Sequence, residues 1–108
     1  MLYKEITPPE LARRIREDAG AFQLIDVREP IEHELARIEG AHLLPLSRFQ
    51  EWAGALLPEQ EIVFMCHHGI RSAQVCAFFS RQGFTKLYNL DGGIDAWSRE
   101  VDPDVPLY

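Results

Sequence analysis

The stretch Glu61–Gly83 constrains the fold of this chain more than any other. It opens with Ile62-Val63-Phe64-Met65, continues through Cys66-His67-His68-Gly69-Ile70-Arg71-Ser72, and ends in a run from Ala73 to Gln82 that lacks Pro and Gly. A short unbroken apolar run is the pattern of a strand buried on both faces. Ala73 to Gln82 is too long for one typical strand, and Gly83 behind it supplies a helix stop. The pattern therefore predicts a strand ending at Cys66 and a helix beginning just after it. That junction is the ligand crevice of an open parallel α/β sheet.

A cysteine at that junction sits beside unpaired helix N–H groups and the positive end of a dipole. A tight loop around it aims further N–H groups inward as an anion nest. Gly69 lets the backbone turn where a Cβ would clash. Arg71 adds a permanent charge and planar donors suited to an oxyanion. These features favour the thiolate, which is the nucleophile. Cys66 is thus the candidate catalytic residue, and His67, His68, Gly69, Ile70, Arg71 and Ser72 are the candidate substrate-binding loop. An inert core thiol is the alternative, disfavoured by the Gly-Ile-Arg-Ser turn that follows. Arg71 is read either as an oxyanion contact or as a structural ion pair under the loop. Ser72 is read as a helix cap or a donor to the sulfur, with capping favoured. Cys76 lies on a small-residue helix face with Ala73, Ala77 and Ser80 and is read as packing. His67 and His68 are adjacent, adjacent residues rarely converge on one ion, and neither Cys nor His recurs at zinc spacing, so no metal is expected. One of the two imidazoles is a candidate to tune charge near neutral pH. His33 is expected to be solvated on its helix, and His42 to be structural.

The 108 residues are read as one domain, 1–108, with a single core. Apolar residues make up 46% and charged ones 26%, which argues against disorder. The net charge of −6 weighs against nucleic-acid binding and a basic membrane-surface module. A local positive pocket still allows an anionic substrate. The opening residues have no apolar leader segment and no apolar run reaches spanning length, so cytoplasm is the expected compartment.

Along the chain, Tyr3–Ile6 is the first expected strand. Thr7-Pro8-Pro9-Glu10 follows as a capping box, with Ile6 and Leu11 as its hydrophobic staple and Gly20 as the helix end. Phe22–Val27 is a second strand that brings Asp26 to the same sheet edge as Cys66. Asp26 and Arg28 are expected to pair with other charges there and brace the loop. A short helix then carries Ile31, Leu35 and Ile38 on one face, and Ala41–Leu44 is a third strand. Ser47-Arg48-Phe49-Gln50 reads as another capping box, on a helix whose face is Phe49, Trp52, Ala53 and Leu56. Lys86–Leu90 is the fifth strand, Asp91-Gly92-Gly93 a sharp turn, and Ile94, Ala96 and Trp97 start a last helix. The Pro-rich tail from Val101 is expected to lie extended over the surface. Strands alternating with helices imply a parallel sheet covered on both faces.

Three segments in this order resemble the rhodanese homology domain in its single-domain form. They are Leu24-Ile25-Asp26-Val27-Arg28-Glu29 with Glu39-Gly40-Ala41-His42, the loop Cys66 to Ser72, and Asn89-Leu90-Asp91-Gly92-Gly93-Ile94-Asp95-Ala96-Trp97. The resemblance implies a three-layer α/β/α fold with a five-stranded parallel sheet in the order 1-5-4-2-3. It also implies thiosulfate sulfurtransferase chemistry through a Cys66 persulfide, with cyanide or a thiol as acceptor and no cofactor. The implied partners are a small anionic sulfur donor, the acceptor, and a sulfur-relay protein. Four residues separate Cys66 from Arg71, whereas the phosphatases and arsenate reductases of the same superfamily have a loop one residue longer. A recognition module is the other alternative, but modules of that sort often lack the cysteine.

Overall fold

The computed structural model describes residues 3–108, so the leader expectation at Met1 and Leu2 lies outside the described residues. Five parallel strands form one sheet: β1 Lys4–Ile6, β2 Gln23–Asp26, β3 His42–Leu43, β4 Ile62–Met65 and β5 Leu87–Leu90. Their order across the sheet is β1-β5-β4-β2-β3, as expected. Parallel neighbours need crossovers, and α1 Pro8–Asp18, α2 Pro30–Leu35, α3 Phe49–Trp52 and α4 Ile70–Ser80 provide them, while α5 Gly93–Glu100 follows the last strand. All four residues of β4 are buried, as its apolar run requires.

Successive β4 residues face opposite cores. Val63 and Met65 join Leu11 and Ala12 of α1 and Ile94 and Trp97 of α5. Ile62 and Phe64 join Trp52 of α3 and Val75, Cys76 and Phe79 of α4. Cys66 belongs to the second core. The Thr7 box forms reciprocally: Glu10 N–H donates to Thr7 Oγ1 at 3.2 Å, and Thr7 N–H to the Glu10 carboxylate at 2.9 Å.

Several local expectations change. Helix α4 starts at Ile70, three residues before the expected Ala73, because Gly69 takes φ +94° as its N-cap and completes the turn in one residue. Arg71 and Ser72 therefore sit on the first helical turn. Ser47 does not cap α3. Residues Leu46–Arg48 form a 3-10 turn instead, and both the N–H and the hydroxyl of Ser47 donate to the Glu29 carboxylate, a charged acceptor stronger than a helix amide. The expected apolar face of α2 is not a face. The helix has six residues and ends before an extended Ala36, so Ile38 is buried out of phase while Ile31 and Leu35 are 67% and 54% exposed. His33 is not simply solvated, since its Nδ1 lies 3.0 Å from Asp26 Oδ2.

Candidate active site

The sulfur of Cys66 meets three groups from the start of α4. Gly69 N–H donates to Sγ at 3.1 Å and Ser72 N–H at 3.4 Å, while Ser72 Oγ lies 3.2 Å away. The residue is only 1% exposed, but these amides face the sulfur rather than turning away. Helix α5 secures the outside of the same loop. Ile94 N–H donates to Cys66 O at 2.9 Å and Asp95 N–H to His67 O at 3.1 Å. With their carbonyls held outward in this way, Cys66 and His67 leave the concave side of the loop to N–H groups. Gly92 and Gly93, expected as turn residues, both have positive φ. Ile70 projects to solvent at 70% exposure.

Arg71 does not point at the sulfur. Its Nη1 and Nη2 donate to the two oxygens of Glu32 on α2, at 2.7 and 2.9 Å. This fork holds the Glu32 carboxyl down at about 2, against burial, with help from the Glu29 backbone N–H and the Tyr108 hydroxyl. Of the two roles open to Arg71, the geometry is that of the ion pair. Glu32 then joins a second network: Tyr108 O–H donates to Glu32 Oε2 at 2.9 Å and accepts from Arg28 Nη1 at 2.8 Å. Arg28 also forks onto Asp26 and donates to Ala36 O. The Asp26–Arg28 pair is therefore connected to the loop through Tyr108, Glu32 and Arg71. The tail is irregular, as expected, but it returns to the site.

An Arg71→Ala variant is accordingly expected to keep its apparent affinity for an anionic donor and the salt dependence of that affinity. Its stability at neutral pH should fall by about 1 kcal/mol or less, because the arginine is 36% exposed and solvent screens the pair. The depressed Glu32 carboxyl contributes stability above its unfolded value of about 4.3, and that contribution is lost as pH falls toward about 2. Urea titrations of wild type and variant should therefore converge on acidification. A gap that persists at low pH would assign the loss to something other than this pair.

His67 is sandwiched. Its ring stacks on Tyr108 at 3.9 Å and 5°, and His68 lies on its other side at 3.9 Å and 31°. Burial and the neighbouring His68 push the His67 imidazole below its ordinary value, so it is neutral at pH 7. With Arg71 paired to Glu32, the groups that reach the sulfur are Gly69 N–H, Ser72 N–H and the Ser72 hydroxyl. Asp95 brings a carboxylate oxygen within 4.8 Å of ligand atoms of both histidines. The adjacent histidines, expected not to converge, thus bring ligand atoms together with a carboxylate. Cys76 is a packing residue: it is fully buried, its Sγ lies 3.5 Å from Tyr88 O, and burial pushes the thiol up to about 12.

Sequence reasoning missed Glu32 and Tyr108 as site residues, and Asp95, like Asn89, was visible only as part of a motif. A carboxylate on a short helix and an aromatic at the end of an irregular tail carry no local signal, and their partners are distant in sequence.

A cysteine held under main-chain amides, where the central strand of a five-stranded parallel sheet meets a helix, defines an α/β domain built around one buried sulfur. The chain belongs to the rhodanese-like domain family, whose model matches residues 7–100. It is similar to the thiosulfate sulfurtransferase GlpE of Pseudomonas paraeruginosa, 35% identical over 95 residues covering 88% of this chain and 84% of that protein. It is 40% identical over 111 residues to the chloroplastic rhodanese-like/PpiC domain-containing protein 12 of Arabidopsis thaliana. That match covers 97% of this chain but 37% of the plant protein, so the chain spans little more than a third of that relative. The crystal structure of a rhodanese-related protein from Thermoplasma volcanium superposes with a TM-score of 0.81 at 31% identity, covering 98% of this chain and 100% of the other. No helix among the described residues is long and apolar enough to cross a membrane.

Proposed function

We propose that the chain, acting as one domain over residues 1–108, is a sulfurtransferase that carries sulfur as a Cys66 persulfide. The observation that carries this reading is the pair of amides, Gly69 N–H and Ser72 N–H, trained on Cys66 Sγ at the start of α4. Each hydrogen bond to a charged acceptor contributes about 1.5–3 kcal/mol. In the forward step the Cys66 thiolate attacks the outer sulfur of thiosulfate. The new S–S bond forms as the bond to the sulfonate breaks, and sulfite leaves with the electron pair. A thiolate or cyanide then attacks the outer sulfur of the persulfide and regenerates the Cys66 thiolate. This is covalent, ping-pong catalysis. The low exposure of Cys66 means that the loop must part for a donor, and a single terminal sulfur is the smallest group that could enter.

Similarity to a thiosulfate sulfurtransferase over most of both chains supports thiosulfate as the first donor to try. Incubation with thiosulfate should add one sulfur to the intact mass of the wild type and none to Cys66→Ser. Turnover to thiocyanate should fall to background in that variant. If Cys66→Ser loads sulfur as well as wild type, another residue is the nucleophile.

A further inference from the structure

Behind Cys66 a line of side chains runs from buried Ser72 on α4 through buried Asn89 on β5 to the exposed Glu5 on β1. Ser72 Oγ lies 3.2 Å from Cys66 Sγ and also bonds Asn89 Oδ1. Ser72 is fully buried and Asn89 nearly so. The direction of this line is set at its far end. Asn89 Nδ2 lies 3.1 and 3.2 Å from the two Glu5 carboxylate oxygens and 3.1 Å from Gly69 O. A carboxylate and a backbone carbonyl only accept, so the amide nitrogen must face them. Asn89 Oδ1 is then turned to Ser72. That oxygen has no proton to give, so the Ser72 hydroxyl donates to it. A serine hydroxyl carries one proton. With that proton committed to Asn89, Ser72 presents a lone pair to the sulfur.

We propose that Ser72, oriented by Asn89 and Glu5, accepts the S–H hydrogen of Cys66 and so opposes the loop amides, holding back ionisation of the nucleophile. The assignment of Cys66 as nucleophile rests on the function proposed above. Ser72 touches the reacting sulfur; Asn89 and Glu5 are positioning residues. To form the thiolate, the thiol proton leaves to water. The hydroxyl must then either keep a lone pair toward the new negative charge or turn to it and give up its bond to Asn89. Either course disfavours the thiolate relative to a free hydroxyl that could simply donate.

The charged groups around the sulfur do not mimic this arrangement. On α4, Arg71 is paired with Glu32, and Cys76 stays protonated because burial raises its thiol to about 12. Beyond β2, Asp26 and Arg28 neutralise each other. In the loop, burial and the neighbouring His68 lower the His67 imidazole from its ordinary value, and its ring lies tilted against His68. On α5, Asp95 is tied to Arg99, and on β1, Glu5 faces Asn89.

The test is the rate of Cys66 alkylation by iodoacetamide as a function of pH, followed by intact mass with no sulfur donor present. The plateau at high pH reports access to the sulfur, and the pH of half-maximal rate reports ionisation. In Asn89→Ala the hydroxyl is released to donate to the thiolate, and the half-maximal pH should fall by about one unit. Ser72→Ala should not raise it, and Ser72→Ala with Asn89→Ala should match Ser72→Ala alone. A rise of about one unit in Ser72→Ala would show the hydroxyl donating to sulfur and overturn the proposal. A folded Asn89→Ala protein with an unchanged half-maximal pH would overturn it too. If Asn89→Ala does not fold, Ser72→Ala decides alone. Because no donor is used, failure to load sulfur from thiosulfate would leave this result standing, and the reverse also holds.

Discussion

Arg28→Ala lowers the unfolding free energy by about 3–5 kcal/mol, read from urea titration at neutral pH. Arg28 and Asp26 are both fully buried, and their closest contact is 2.6 Å. Truncating the arginine leaves a carboxylate in the interior with His33 as its remaining side-chain partner. It also frees Ala36 O, which accepts from Arg28 Nη2 at 2.7 Å. The penalty comes from the charge left behind more than from the contact removed. Asp26→Leu combined with Arg28→Met should therefore destabilise less than the sum of Asp26→Leu and Arg28→Met singly. Strict additivity of the two would show that they do not act as a pair. Because Tyr108 and Glu32 hang from Arg28, sulfur loading by Arg28→Ala should slow even where the protein remains folded.

Gly93→Ala damages the loop directly. A Cβ at Gly93 would lie 2.4 Å from His67 O and 2.5 Å from Cys66 O, and those backbone atoms cannot rotate away. The residue also has φ +61°, where a side chain adds strain of about 1–2 kcal/mol. Overpacking against backbone adds about 1–3 kcal/mol. The variant can fold only by moving α5 off the loop, which breaks the bonds from Ile94 and Asp95 that hold the Cys66 and His67 carbonyls outward. The expected result is a large fall in thermal midpoint together with loss of sulfur loading from thiosulfate. By contrast, a Cβ at Gly20 meets nothing within 4 Å and its φ is not positive, so Gly20→Ala serves as the neutral comparison. Wild-type loading by Gly93→Ala would mean that the outward carbonyls are irrelevant to the cradle.

Much of this architecture is legible locally. The four-residue run of β4 announces a doubly buried strand because no other element hides every residue of so short a segment. Thr7 and Glu10 announce α1 because both halves of the box lie within one turn. The loop at Cys66 is legible for the same reason, since Gly69 and Ser72 reach the sulfur from three and six residues away. Local patterns fail where a stronger distant partner competes. Ser47 has the right spacing to cap α3 but is drawn off by Glu29, eighteen residues earlier. Ile31 and Leu35 have helical spacing, yet α2 is too short to turn them onto the sheet.

The amino-acid order alone thus determined the alternation of strands and helices, the burial of β4 and the place of Cys66 at its end, because those rest on periodicity and on bonds spanning a few residues. Tertiary structure decided what surrounds the sulfur: Arg71 turned to Glu32 thirty-nine residues away, Tyr108 stacked on His67, and Asn89 fixed in direction by Glu5 across the sheet. Charge pairing, stacking and hydrogen-bond polarity depend on which groups meet in space, and only the folded chain brings these together.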